Sequence, residues 1–220
     1  LAGDGGNLLR ITGGTNCTGG TYQISAVDTG LGTGTLDRNA TTGAGAAMTG
    51  NMGGALASPG MAASFKVAGN IVHVKSGTYT LSNTANVSAG RINDTTTNSA
   101  TAPGFWYGYQ TVRLDDGTAP VFDIGANSVV AFTLGGVCVF ARNFRVINSG
   151  GFTGTTGFTL SGTHPRAYKC STLDINGSGF NISGTTGKCI DCHAENCTTG
   201  FTVLSEVISC VAEDCTGVGF

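Results

Sequence analysis

YKCSTLDI (168–175), IDCHAENC (190–197) and ISCVAEDC (208–215) superpose without gaps. The superposition puts Tyr168, Ile190 and Ile208 in one column and Cys170, Cys192 and Cys210 in the next. Thr172, Ala194 and Ala212 form a third column. Each column lies two residues from the last, the period of an extended strand, so all three are expected on one face. Ile175, Cys197 and Cys215 make a fourth column after a short bend. The other face carries Lys169, Asp191 and Ser209, then Ser171, His193 and Val211, a mixed polar set suited to solvent.

The pair Gly-Phe recurs at 157–158, 179–180, 200–201 and 219–220, in steps of 22, 21 and 19 residues. Two places beyond the first three phenylalanines stand Leu160, Ile182 and Val203, again with strand period. Counted forward from Phe180, Cys189 rather than Cys192 matches Cys210. The register anchored on AENC and AEDC agrees in four columns, and the SGTTG loop then absorbs the difference in length. A repeat of roughly 20 residues built from short strands, with no helical period, predicts a parallel β-solenoid. One coil cannot bury its own apolar column. Stacking on the next coil, about 4.8 Å away, buries it and completes the backbone hydrogen bonds. The fold class predicted is all-β: a right-handed parallel β-helix with a small N-terminal β-rich unit.

Composition agrees with this reading. The chain has 220 residues, of which 37 are glycine and only 11% are charged. Hydrophobic residues make up 40%, which excludes a highly charged, low-hydropathy disordered chain. A net charge of -2 with no basic stripe argues against nucleic acid as a partner. The longest uncharged apolar stretch, around residues 128–141, is broken by Gly135 and Gly136 and is too short to span a bilayer. Residue 1 is Leu with no signal peptide ahead of it, so the chain is expected to be processed or to continue upstream.

Upstream of the repeat, GNIVHVKSGTYTLS (69–82) alternates, with Ile71, His73 and Lys75 set against Val72 and Val74, then a turn at Gly77, then Tyr79 and Leu81. VVAFTL (129–134) and VCVFARNFRVIN (137–148) are predicted strands, the latter offering Phe144, Val146 and Asn148 to an interior column. Residues 88–120 between them are expected to be loop-like, with an aromatic knot at Phe105, Trp106, Tyr107 and Tyr109. Two readings of the knot fit: a functional or interface excursion, or packing over the flank or end of the solenoid. Residues 8–12, 21–27 and 34–37 are strand candidates of a small β unit. The expected organisation is 1–38 as that unit, 39–66 as a linker with a capping helix around Ala55 to Lys66, and 67–220 as the solenoid.

Residues 67–220 resemble the right-handed parallel β-helix proteins of the pectate-lyase-like superfamily. The resemblance rests on GNIVHVKSGTYTLS, similar to an opening rung, and on the Gly-Phe…Cys-x-Ala-Glu-x-Cys rungs. Such rungs are similar to those of phage tail and virion proteins, secreted surface proteins and polysaccharide lyases. The Gly/Thr/Ser-rich, charge-poor style looks most like a phage structural protein. That is an analogy of fold, and function has to be argued from a site.

A lyase or hydrolase on this fold needs carboxylates clustered with Arg or Lys on one outer sheet. Asp174, Asn196 and Asp214 share a column at a bend, with Glu195 and Glu213 beside them. Two glutamates one rung apart repel unless solvated or bridged by a cation such as Ca²⁺. A solvated turn is the simpler reading, since bends are where a solenoid puts its charges. His164, Arg166 and Lys169 are expected in a loop before a strand, where they could meet an anionic sugar. No complete catalytic set is visible. Cys189-Ile190-Asp191-Cys192-His193 matches C-x-x-C-H, the haem attachment pattern. In the register above Cys189 and Cys192 face opposite ways, which argues against haem and zinc alike. The cysteines are expected to be free, buried thiols acting as small hydrophobes, too widely stacked for disulfides within a column. The expected ladder is Cys170, Cys192 and Cys210, Cys197 and Cys215, and Phe158, Phe180 and Phe201. Asp174, Glu195, Glu213, Asp214 and Arg166 are candidates for carbohydrate or ion contact. No catalytic residue, cofactor or metal is expected.

The final Gly219-Phe220 opens another rung, so the solenoid is expected to continue or to be covered by another subunit. Three functions fit. The first is a structural component of an extracellular assembly, a phage virion or tail β-helix, homo-oligomeric and trimeric by analogy. The second is a polysaccharide lyase or depolymerase of tailspike type. The third is an adhesin that binds host surface glycans without cleaving them.

Overall fold

The computed structural model describes residues 8–28, 30–31, 33–43, 49–53, 59–85, 90–125 and 129–220. Two compact units divide it, Leu1–Ser58 and Pro59–Phe220. In the first, β1 (Leu8–Gly13), β2 (Gly20–Asp28), β3 (Thr33–Leu36) and β4 (Thr49–Gly53) form an antiparallel sheet in the order β3-β2-β1-β4. Ile11, Tyr22 and Ala40 are its buried centre, with Leu9, Cys17 and Leu36 packed around them. β4 lies inside the stretch expected to be a linker. Its small residues, TGNMG, carry no strand pattern, and pairing with β1 is what extends them. Positions 44–48 of that stretch, and 55–58 of the expected helix, lie outside the described residues.

The second unit opens with α1 (Pro59–Phe65). Proline suits a helix's first turn, where its missing N–H costs no hydrogen bond. Three strands per coil follow. They are β5 (Ile71–Lys75), β6 (Thr78–Thr80) and β7 (Ser82–Ala85), then β8 (Gly90–Asp94), β9 (Gly104–Tyr109) and β10 (Val121–Asp123). Next come β11 (Val130–Leu134), β12 (Val139–Arg142) and β13 (Arg145–Ile147), then β14 (Thr153–Leu160), β15 (Arg166–Tyr168) and β16 (Ser171–Leu173). The last are β17 (Asn176–Ile182), β18 (Lys188–Ile190) and β19 (His193–Glu195), then β20 (Thr199–Val203), β21 (Glu206–Ile208) and β22 (Val211–Glu213). Three six-stranded parallel sheets result: sheet 1 is β20-β17-β14-β11-β8-β7, sheet 2 is β21-β18-β15-β12-β9-β5, and sheet 3 is β22-β19-β16-β13-β10-β6. This is the right-handed parallel β-helix that the repeat predicts.

Sheet 1 is organised by a phenylalanine stack. Phe132, Phe158, Phe180, Phe201 and Phe220 follow one another with ring centroids 5.4, 5.0, 4.9 and 5.1 Å apart. Each of Phe158, Phe180 and Phe201 is preceded by glycine because the interior has no room there. A Cβ on Gly179 would meet Thr172 Oγ1 at 2.5 Å, and one on Gly200 would meet Ala212 Cβ at 2.7 Å. The Gly-Phe pair is therefore a packing device: sheet 3 approaches the glycine while the ring fills the space beside it.

The columns of sheet 2 differ from the expected ones. Ala167, Cys189 and Val207 form the inward column in register with Trp106 and Ala141. Tyr168, Ile190 and Ile208 face outward. The cause lies at the next residue: Lys169, Asp191 and Ser209 have φ of 50, 51 and 52°, in the left-handed region. A left-handed residue turns the chain about one position, so the period of two does not run across it. The Cys170, Cys192 column is inward, and so is Cys189. The expectation that Cys189 and Cys192 face opposite ways is thus corrected, since both are sealed at 0% and 2% exposure.

All five cysteines of the two bend columns follow a left-handed residue. Cys170, Cys192 and Cys210 come after residues 169, 191 and 209, while Cys197 and Cys215 come after Asn196 and Asp214 (φ 50 and 49°). Each thiol donates to the carbonyl two residues back, at 3.5, 3.4, 3.3, 3.3 and 3.4 Å for Cys170, Cys192, Cys210, Cys197 and Cys215. Cysteine suits the site as a small hydrophobe with one weak donor for that carbonyl. Burial and the neighbouring Cys192 thiol push the Cys189 thiol well up, Cys192 being the larger cause, and the same pair of causes raises Cys210. All eight cysteines are free.

The interior changes along the axis. Beside the phenylalanine stack, Trp106, Phe122 and Phe144 fill the early coils, and Cys, Thr and Ala line sheets 2 and 3 in the later ones. At the start of the unit, α1 packs beside β8 and Lys66 turns inward. Its Nζ lies 2.9 Å from Asp94 Oδ2, both side chains being fully buried. Asp94 also accepts the Trp106 indole N–H at 2.6 Å and the Thr96 amide at 3.0 Å. Removing either charge would strand the other in the interior.

Two outcomes are expected. Phe180→Ala breaks the ring stack at its middle and should lower unfolding free energy by about 3–5 kcal/mol, measured by urea denaturation; a loss within error would refute the packing role. Cys189 and Cys192 should resist iodoacetamide in the native protein and react once it is unfolded, as followed by mass spectrometry of the alkylated peptides.

Candidate functional site

The outer face of sheet 2 brings aromatic and cationic side chains together in register. Two columns run along it in register. One is Ile71, Phe105, Phe140, Arg166, Lys188 and Glu206, and the other is His73, Tyr107, Arg142, Tyr168, Ile190 and Ile208. β9 lies within the segment expected to be a loop. Its sequence, GFWYGY, alternates in burial, so Trp106 enters the core while Phe105, Tyr107 and Tyr109 stay half-buried outside. Gly108 is required on the inward side, where a Cβ would stand 1.9 Å from the Asn143 carbonyl oxygen. The knot is thus a regular strand of the solenoid rather than the loop-like segment expected, with one ring in the core and three on the flank.

The half-buried rings are in mutual contact. Phe105 and Tyr107 stack at 5.4 Å, His73 stacks on Tyr107 at 5.8 Å, and Phe105 meets Phe140 edge-on at 5.1 Å. Cations lie over the neighbouring rings: Arg166 over Phe140 at 5.2 Å, Arg142 over Tyr168 at 5.1 Å and Lys169 over Tyr168 at 5.5 Å. Such pairs orient the cations and keep ring faces clustered on one surface. Burial, assisted by Arg113, holds His73 below its ordinary pKa, so it is neutral at neutral pH.

One loop borders this face. Between β9 and β10, the Asp115 carboxylate accepts the amides of Gln110, Thr111 and Val112 at 2.7, 2.8 and 2.8 Å. Gln110 Oε1 accepts the Thr118 amide at 3.0 Å. Asn143 Nδ2 donates to the carbonyls of Gly108 and Gly117, both at 3.2 Å, and ties the loop to the next coil. Asp116 then reaches Arg142 (Nε 3.0 Å, Nη2 2.5 Å) and Lys169 (Nζ 3.1 Å).

The residues singled out from sequence fall in two places. Glu195 and Glu213 are register neighbours on sheet 3. His193 Nε2 lies 3.2 Å from Glu213 Oε2, which eases their repulsion when the imidazole is charged. Asp174 and Asp214 occupy the left-handed bend after sheet 3, where Asp174 Oδ1 accepts Asn196 Nδ2 at 2.5 Å. Arg166, expected in a loop, begins β15 on sheet 2. The carboxylates and Arg166 thus belong to different sheets. His193 faces outward while Cys189 and Cys192 face inward, so the C-x-x-C-H residues do not converge. Among the described residues, no group of three or more His, Cys, Asp and Glu is arranged to hold a metal ion.

Sequence reasoning did not single out Phe140, Arg142 or Asp116, and it read His73 and Tyr168 only as strand positions. The spacing between register partners along these columns varies from 18 to 35 residues, which hides the columns. The available signal was local: VFAR and RAY each place an aromatic and an arginine two residues apart, on one face of a strand.

No family model matches the chain, and no curated protein matches it. Among solved structures, a rhamnogalacturonan lyase is similar, at 16% identity with a TM-score of 0.40. The match covers 66% of this chain and 49% of that one, so the chain spans about half the length of the lyase.

The loop yields a pH prediction. Three backbone amides hold the Asp115 carboxyl down to about 2. A lowered pKa means that the carboxylate's contribution is complete above the ordinary value of 3.8 and is lost as pH falls through about 2. NMR titration should show the Asp115 side chain and the Gln110, Thr111 and Val112 amides moving together with a midpoint near 2. An ordinary carboxylate midpoint would rule the arrangement out.

Proposed function

We propose that this chain is a non-catalytic β-helix module of an extracellular assembly that binds a glycan along the outer face of sheet 2. The observation that carries the reading is the strip of half-buried rings, Phe105, Tyr107, Phe140 and Tyr168, interleaved with Arg142, Arg166 and Lys169. Sugars offer apolar C–H faces to aromatic rings and hydroxyl or acidic groups to guanidinium and ammonium donors. A parallel sheet repeats its outward positions about every 4.8 Å, which suits an extended chain better than a compact small molecule. In this reading other copies of the chain are its neighbours, as a trimer by analogy with the virion and tail β-helices that the sequence resembles. A virion or other extracellular location belongs to the same proposal.

The lyase reading has less support. It needs acids and a cationic stabiliser converging on one surface. The carboxylates singled out from sequence, Glu195, Glu213, Asp174 and Asp214, belong to sheet 3 and its bend, and the one that borders the strip, Asp116, is taken up by Arg142 and Lys169.

The test is binding to an immobilised panel of neutral and acidic oligosaccharides, with product analysis of the same incubations. The expected result is binding without cleavage, weakened about tenfold or more by Tyr107→Ala with Phe105→Ala, as for aromatic anchors elsewhere. Released oligosaccharide fragments would favour the enzyme instead. No binding across the panel would leave a purely structural role.

A further inference from the structure

The Arg142–Lys169 pair is an unusual feature of the glycan-facing strip, because a carboxylate of the same chain already occupies it. We infer that Arg142 and Lys169 form an anion subsite on the outer face of sheet 2, which Asp116 fills as a built-in competitor. The inference rests on the glycan-binding reading and adds to it an acidic group on the ligand and a contact that must open.

Geometry supports it in three ways. First, the carboxylate is held as a ligand would be. Arg142 gives it two N–H donors, from Nε at 3.0 Å and Nη2 at 2.5 Å, and Lys169 Nζ adds a third at 3.1 Å. A planar fork facing a carboxylate is the arrangement by which arginine recognises that group. Second, the two cations are placed independently of Asp116. Arg142 is part of β12, Lys169 is the left-handed bend residue after β15, and both lie over the Tyr168 ring. An acid bound there would continue onto the ring surface of the strip.

Third, the loop that carries Asp116 is closed by other residues. Residues 110–118 are closed by the Asp115 carboxylate on three amides, by Gln110 on Thr118, and by Asn143 on Gly108 and Gly117. Asp116 takes no part in those bonds, and its carboxylate meets the two cations. All three side chains remain open to solvent, at 38% for Arg142, 33% for Asp116 and 43% for Lys169. An exposed contact of this kind adds little stability and exchanges readily. One carboxylate against two cations leaves the cluster with a charge of +1, so it still attracts an anion when closed. The nearby Lys188 is already paired with Glu206, and Arg166 has its place over Phe140. The pair that Asp116 holds is therefore the one that an entering acid would contest.

The experiment uses the full chain with two probes of equal length, dextran and carboxymethyl-dextran, in a surface-binding assay at low salt. Asp116→Ala should tighten carboxymethyl-dextran binding by about three- to fivefold, the value of one exposed ion pair set free, and leave dextran binding unchanged. Arg142→Gln with Lys169→Gln should abolish the preference for the carboxymethylated probe. Thermal unfolding of each variant, expected within a few degrees of wild type, shows that the fold is kept. Carboxymethyl-dextran binding that is unchanged, weaker or absent in a folded Asp116→Ala protein overturns the subsite. The two readings fail differently. Gain of carboxymethyl-dextran binding that is indifferent to Tyr107→Ala keeps the subsite and removes the aromatic strip. Equal binding of both probes by every Asp116, Arg142 and Lys169 variant, lost with Tyr107→Ala, keeps the strip and removes the subsite.

Discussion

The corner between sheets 2 and 3 is turned in each later coil by a single left-handed residue, at Asn143, Lys169, Asp191 and Ser209. For residues other than glycine this conformation costs roughly 1–2 kcal/mol each. Stacking offsets the cost, because the amide of the left-handed residue continues the ladder between coils. Lys169 donates to the Ile190 carbonyl and Asp191 to that of Ile208, both at 3.0 Å. The same device recurs after sheet 3 at Asp174, Asn196 and Asp214. A corner made this way is one residue long, so three flat sheets can close around a narrow interior. It also reverses the inward–outward parity of the chain, and this decides which residues become core and which become surface.

Two consequences meet in the functional reading. Inside, the residue after each corner is held close to its neighbours, and at all of these corners but Asn143 and Asp174 cysteine fills that place with a thiol that caps a spare carbonyl. The thiols are structural, and the cofactor motif that they spell dissolves into the geometry of the bend. Outside, the corner sets Lys169 beside Tyr168 and Arg142, so a residue serving the turn also faces the strip. Asn143, at the equivalent corner one coil earlier, ties down the loop that brings Asp116 to those cations. The fold's closing device and its candidate binding surface therefore share residues.

Much of the later solenoid was legible because its coils are nearly equal in length. The Gly-Phe stack, the Cys170 and Cys197 columns and the outward set of Lys169, Asp191 and Ser209 could be read off by superposition. The Tyr168 column was misplaced because a period of two was carried across a left-handed residue, whose conformation no residue type at 169, 191 or 209 announces. β9 was hidden for another reason. Its register partners lie 34 residues before and 35 residues after, so no repeat marked it. The binding strip depends on β9, β12 and β15 together, and so it could not be assembled from any one segment.

The sequence by itself determined that this chain is a parallel solenoid, since alternating apolar columns at a repeat of roughly 20 residues can be buried only by stacking. It also determined that glycine and phenylalanine alternate along one side of the interior, because their spacing needs no knowledge of the corners. Only the tertiary structure decided which way each side chain points, where Cys189 belongs, and that Asp116 meets Arg142 and Lys169 across 26 and 53 residues of chain. Facing depends on backbone conformation at the bends. Long-range charge pairing depends on coil lengths that vary, and neither quantity is written in residue type alone.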